Sequence, residues 1–190
     1  FSSSSYLVAN SAISFFDYDE ANFQYDGSNL NYFNESDLEK KLLAYVNTNS
    51  LNKASKVAEK ILNNDITNQE AWLVYLIYAK LHNLDKPFNY FQREEKKGDF
   101  DNIKFIFYNG YQLKNNNYEI AKSILDMVRS STSSGNSSFY SYEYILFYLS
   151  LSLNLDKNFN EAYFFLAQIY QNLKNYSKAE QFYRKINKYH

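Results

Sequence analysis

Over residues 160–173 apolar side chains recur at Tyr163, Leu166, Ala167 and Tyr170, spaced i, i+3, i+4 and i+7, with further apolar residues beside them. That stripe marks an amphipathic helix. The same period predicts helix pairs over 4–16 with 19–27, 36–48 with 51–63, 69–82 with 87–97 and 101–114 with 117–130. A single helix over 139–155 and a final pair over 160–173 and 176–188 complete the chain. One Pro and four Gly leave few other breaks, which favours helices joined by short polar turns over an all-β fold. Ser36-Asp-Leu-Glu39 reads as a capping box, and Pro87 suits a first helical turn, where its missing N–H costs nothing.

The pairs recur. Tyr18-Asp-Glu-Ala21, Leu51-Asn-Lys-Ala54, Tyr118-Glu-Ile-Ala121 and Tyr176-Ser-Lys-Ala179 each place a small residue three positions after a large one. The alanines are 33 and then 67 residues apart, one and two periods of a repeat. Twelve residues before three of them stand Ala9, Leu42 and Ala167. A small residue lets two antiparallel helices approach closely, while larger neighbours fill the rest of the seam. The pattern breaks in two places. Phe88 occupies the small position of the third unit, which predicts that its helices splay. Ala121 and Ala179 are only 58 residues apart, so a helix is lost or fused near the polar stretch Arg129-Ser-Ser-Thr-Ser-Ser-Gly-Asn-Ser-Ser138. The small position near Asn109-Gly110 can be read at either residue.

These residues resemble the tetratricopeptide repeat family over nearly the whole chain. Trp72 and Tyr163 stand where that family favours tryptophan, and Leu166-Ala167, Tyr170, Tyr176, Ala179 and Tyr183 follow its signature. Asn64-Asp-Ile66 departs from the family's usual Asp-Pro. The resemblance implies an all-α, right-handed superhelical solenoid of antiparallel helix pairs, about five units with one irregular helix near 139–155. Repeats would occupy 1–130, a Ser-rich loop 131–138, and the unpaired helix with the last repeat 139–190.

The resemblance also implies a groove lined by the first helix of each unit. Its residues would be Tyr6, Asn10, Glu39, Leu43, Leu73, Ile77, Lys80, Ile106, Phe164, Gln168 and Gln171. That set is apolar in the middle and polar at its ends, which suits an amphipathic helix or an extended apolar peptide. Only Asn10 matches the Lys, Asn and Arg clamp by which chaperone-binding members hold a C-terminal carboxylate, so a clamp is not expected.

Composition narrows the chemistry. Without cysteine there is no disulfide, thiolate metal site or thiol nucleophile. Glycine at only 27, 98, 110 and 135 cannot write either phosphate-cradling loop motif. The net charge of -1 argues against nucleic-acid binding, and no apolar run reaches membrane-spanning length. His82 and His190 lack metal-ligand spacing, Glu94-Glu95-Lys96-Lys97 reads as a solvated helix end, and the serines of 130–138 have no base beside them. No catalytic residue, cofactor or metal is therefore expected. The 25 Asn, and 17 Lys against 3 Arg, reflect A/T-rich codons.

Charge is uneven along the chain. Residues 1–39 hold seven acids and no base, and 157–190 hold six bases and two acids. That asymmetry could orient a partner or a second copy. The chain opens on Phe1 rather than Met and ends on an apolar-faced helix, which reads as a piece of a longer or processed protein. The expectation is a soluble, non-catalytic scaffold, cytoplasmic or periplasmic, that binds a protein or peptide. The alternatives are a self-associating assembly module or an adaptor segment of a larger enzyme or secretion protein.

Overall fold

A computed structural model describes residues 3–26, 33–133 and 141–186. His190, the 134–138 part of the Ser-rich loop and residues 187–188 of the last expected helix lie outside the described residues. Among the described residues the chain is all-α apart from one short hairpin, and it divides into two compact units, Phe1–Ile103 and Lys104–His190. The division falls nearly 30 residues before the polar loop.

The first unit holds α1 (Ser3–Ser14), α2 (Tyr18–Tyr25), α3 (Glu35–Asn47), α4 (Leu51–Asn64), α5 (Gln69–Leu81) and α6 (Asp85–Glu94). Sequential helices pack on one another, α1 on α2, α2 on α3, α3 on α4, α4 on α5 and α5 on α6, and α1 also meets α3. The alanines expected at helix crossings, Ala9, Ala21 and Ala54, have no solvent exposure. Trp72 is the largest fully buried side chain. Its indole Nε1 donates to the Ile66 carbonyl at 2.7 Å, and its ring meets Tyr90 and Phe91 at 5.1 and 5.2 Å. Phe91 in turn meets Phe100 edge-on at 5.4 Å. The aromatic seam supplies large apolar area together with a satisfied polar handle.

The turn inside each pair has one geometry. Phe16, Asn49 and Asn83 take φ of 58°, 55° and 53° directly after α1, α3 and α5. In each case the next amide donates to a carbonyl five residues back: Asp17 to Ala12, Ser50 to Tyr45 and Leu84 to Ala79, at 2.8–2.9 Å. The left-handed residue itself donates three back, to Ile13, Val46 and Lys80. This is the Schellman closure of a helix C-terminus, made without glycine. The left-handed residues lie 33 and 34 positions apart, so the backbone repeats with the period of the alanines.

Asparagine serves both helix ends. Asn34, Asn68 and Asn175 cap N-termini by accepting from Asp37, Ala71 and Lys178 amides, and Asn49 and Asn83 fill left-handed C-terminal positions. The expected capping box at Ser36 is thus corrected. Helix α3 starts earlier, Asn34 is its cap, and Ser36 lies inside it.

The second unit departs further from expectation. Helix α7 (Asp101–Phe107) straddles the unit boundary and stops seven residues before the expected end at 114. A hairpin follows, β1 (Tyr108–Asn109) paired antiparallel with β2 (Gln112–Leu113), with Gly110 at φ 65° in the two-residue turn. Glycine at the first turn position is what such a hairpin favours. The small residue near 110 therefore ends a helix rather than seating a crossing.

Next come α8 (Asn117–Ser133), α9 (Tyr142–Leu155), α10 (Asn160–Asn172) and α11 (Tyr176–Lys185). Helix α8 runs three residues into the expected polar loop at 131–138. The helix read as unpaired has a mate: α9 packs on both α8 and α10, and α10 on α11. Buried Ser152 donates to the Ala121 carbonyl at 3.3 Å, so the small residue Ala121 serves the α8–α9 crossing. The α10–α11 turn repeats the Schellman geometry, with Lys174 at φ 60° and the Asn175 amide on the Tyr170 carbonyl at 2.9 Å.

The aromatics of the repeat pattern, with Tyr45, fall into two groups. Tyr18, Tyr45, Trp72 and Tyr170 are buried and Tyr163 half-buried, whereas Tyr118, Tyr176 and Tyr183 are exposed. No helix among the described residues is long and apolar enough to cross a membrane.

Candidate functional site

The first helices of the pairs carry the residues expected to form a groove, and the structure sorts them into three groups. Tyr6, Asn10 and Glu39 join a polar row. Tyr6 donates to Asp37 Oδ1 at 2.9 Å, Lys40 Nζ to Asn10 Oδ1 at 2.9 Å, and Asn68 Nδ2 to Glu39 Oε1 at 3.1 Å. The row links α1 to α3, and α3 to the start of α5. Asp37 and Lys40 are its unexpected members. Their only sequence signal is that they lie close to Glu39 on the same helix. Leu43 and Lys80 are half-buried.

Leu73, Ile77 and Ile106 are corrections to an apolar groove, being 1%, 0% and 0% exposed. Helix α5 is apolar nearly all round and lies against both α4 and α6; a helix of that character is interior. The apolar middle of the expected groove is therefore core. In the second unit Phe164, Gln168 and Gln171 are exposed. Phe164 meets Tyr183 edge-on at 6.1 Å, and Tyr183 donates to Gln171 Oε1 at 3.2 Å.

A more enclosed space lies elsewhere in the first unit. A cavity of about 480 Å³ opens where α4, α5 and the start of α6 meet. Asn52, Lys56 and Glu59 come from α4, Tyr75 and Tyr78 from α5, and Leu84, Lys86 and Pro87 from the turn into α6. A second cavity of about 230 Å³ shares Glu59, Tyr75 and Lys86 with it and reaches Tyr90 and Arg93. The two are parts of one cleft between the second helices of neighbouring pairs. On α5, Tyr75 and Tyr78 lie about 165° round from Leu73, Ile77 and Lys80 at 3.6 residues per turn. The cleft is thus on the side opposite the expected groove.

Its chemistry is one-sided. Lys56, Lys86 and Arg93 have no carboxylate within ion-pair distance among the described residues, and Glu59 is the lone acid in the lining. Arg93 lies over the Tyr90 ring at 5.7 Å, and Tyr78 packs on His82 at 4.3 Å. Burial, then Glu59 and Tyr90, push the Tyr75 phenol above its ordinary range, so it remains a hydrogen-bond donor. None of the Tyr75, Tyr78 and Tyr90 hydroxyls makes a hydrogen bond to another described residue. The cleft therefore gathers cations and phenolic donors with their hydrogen-bonding capacity unspent.

One further ionisable group is enclosed. Lys41 is 2% exposed, donates to the Tyr25 carbonyl at 3.0 Å, and has Phe33, Tyr45 and Tyr25 rings within 4.7–5.8 Å. Burial, outweighing Asp26, lowers its ammonium to about 8. The carbonyl and three ring faces satisfy the charge from within, and the lysine joins α3 to the end of α2. Among the described residues no group of three or more His, Cys, Asp or Glu side chains comes together to hold a metal ion. Comparison with protein-family models, with curated proteins and with solved structures gives no match for this chain.

Proposed function

We propose that the chain is a non-catalytic protein-interaction scaffold of the tetratricopeptide-like kind, with a peptide-binding surface on its first unit. The observation that carries this reading is the open cleft at the α4–α5–α6 junction, where Lys56, Lys86 and Arg93 make no ion pair, and the Tyr75, Tyr78 and Tyr90 hydroxyls no hydrogen bond, with another described residue. The scaffold around it supports the reading too. Three helix pairs share one turn geometry at 33–34 residue spacing, and each pair packs against the next. A rigid repeat array with an open face is suited to holding an extended segment, because little of the protein must order on binding. The polar row through Tyr6, Asn10, Asp37, Lys40 and Glu39 braces the opposite side.

Panning the intact chain against a random displayed peptide library tests the reading. Selected peptides that bind one per chain by calorimetry are expected. A library yielding no saturable binder refutes a peptide-binding scaffold. A second reading is favoured by the exposed rings Phe164, Tyr176 and Tyr183 on α10 and α11, namely association of copies through that face. Light scattering across a concentration series decides it, since a strict monomer excludes self-assembly.

A further inference from the structure

We infer that the α4–α5–α6 cleft takes an extended acidic segment of a partner protein, with carboxylates on Lys56, Lys86 and Arg93 and an apolar side chain against Leu84 and Pro87. The inference rests on the peptide-binding reading and names the ligand for it. Charge complementarity is the argument. Three cations and one carboxylate line two joined cavities, and none of the cations is neutralised by a described residue. Ion pairs among the described residues lie away from the cleft. Lys53 sits 2.7 Å from Asp26, Arg184 is 2.6 Å from Glu180, and Lys97 pairs with Glu94. What sets the cleft apart is that three cations converge on one enclosed lining with a single carboxylate.

The floor selects further. Tyr75, Tyr78 and Tyr90 present phenolic donors, and phenols hydrogen-bond carboxylates or peptide carbonyls equally well. Glu59 sits at the join of the two cavities and spaces the positive charge into two lobes, Lys56 on one side and Arg93 on the other, with Lys86 shared. Cations in both lobes suit an extended segment that carries more than one acidic side chain. Leu84, exposed at the rim, and buried Pro87 lie in the lobe with Lys56 and give an apolar side chain of that segment a seat there. Rim cations of this kind contribute chiefly to association rate and salt dependence, and the phenols to orientation.

The test uses fluorescence anisotropy with a fluorescein-labelled peptide, Ser-Asp-Glu-Phe-Asp-Glu-Ser, on the intact chain. Saturable binding that weakens as salt is raised is expected, with at least about tenfold loss when Lys56→Glu, Lys86→Glu and Arg93→Glu are combined. Circular dichroism melts show that the triple variant folds, and Tyr75→Phe alone should weaken binding with no charge change. Lys122→Glu with Lys157→Glu, the same kind of change in the second unit, should leave affinity intact. The inference is overturned if the peptide does not bind, if its Asn/Gln counterpart binds as well, or if the triple variant keeps full affinity. Polyphosphate displacing the peptide at equal charge concentration would show a general anion site instead, and also overturns it. Library peptides that bind one per chain but ignore the triple variant would sink this assignment and leave the scaffold reading standing.

Discussion

The Asn175 amide donates to the Tyr170 carbonyl across Lys174, a lysine held at φ 60°. Asn49 occupies the same place after α3, at φ 55°. A residue with a Cβ costs about 1 kcal/mol or more in that conformation, and Asn less than Lys. Both side chains are exposed, so nothing else is lost on removing them. Lys174→Gly is expected to raise stability by about 0.5–1 kcal/mol, and Asn49→Gly by less. Urea unfolding of the two variants checks the order. A loss of stability in Lys174→Gly would mean that the turn is not left-handed in solution.

Ala54 and Ala179 mark helix crossings in the two units. Ala54 has no exposure on α4, which packs on both α3 and α5; Ala179 is also buried, on α11, whose main neighbour is α10. Leucine at either site overpacks a close approach, at about 1–3 kcal/mol. The cost should be larger at Ala54, where two neighbouring helices resist, than at Ala179, where α11 can shift. Thermal melts that leave Ala54→Leu unchanged would disprove the α3–α4 crossing point.

Much of the first unit is legible in the sequence because its signals are local. Helix stripes, the alanine period and Pro87 near a helix start all follow from residue type and spacing. The second unit is harder to read because its decisive features are not local. The stripe after Asp101 continues through Phe107, yet Gly110 turns the chain into a hairpin, and Lys114 then ties that hairpin down. Its Nζ donates to the Phe105 carbonyl and to Ser123 Oγ at 3.1 and 2.6 Å. The pairing of α8 with α9 joins residues on either side of a long polar stretch, so no turn signal announces it. The expected groove failed for another reason. A periodic assignment gives a face to each residue but does not say how many neighbours enclose the helix, and the face of α5 that carries Leu73 and Ile77 is enclosed. The cleft was hidden because its cations come from two helices, Lys56 on α4 and Lys86 and Arg93 on α6, and no short window of sequence shows them together.

Tyr6 and Asp37 test the polar row. Their hydrogen bond spans α1 and α3 at 2.9 Å and is partly buried. A double-mutant cycle with Tyr6→Phe and Asp37→Asn should give a coupling of about 0.5–1.5 kcal/mol. The Lys40–Asn10 bond, one turn along, is expected to add independently. Zero coupling in chemical denaturation would show that solvent satisfies both groups.

Lys41 gives the first unit a pH dependence with a definite sign. Burial, assisted by Lys53 and opposed by Asp26, brings its ammonium down to about 8 from an ordinary 10.5. Below about pH 8 folded and unfolded chains both hold the proton, and the cost of enclosing the charge is constant. Between about 8 and 10.5 the unfolded chain holds more of it, so stability rises with pH through that window. Tyr25 and Tyr45 act the other way, since burial holds both phenols well above their usual 10 and their contribution is lost above that pH. The comparison is therefore made below pH 10, between the natural chain and Lys41→Met, by urea unfolding at pH 7 and 9.5. At about 1.36 kcal/mol per pH unit, the natural chain should gain about 1–2 kcal/mol relative to the variant over that interval. Absolute stabilities at pH 7 do not decide the matter, because Met also forfeits the Tyr25 carbonyl bond and the ring contacts. A difference that stays flat with pH would place the Lys41 ammonium in water rather than among Tyr25, Phe33 and Tyr45.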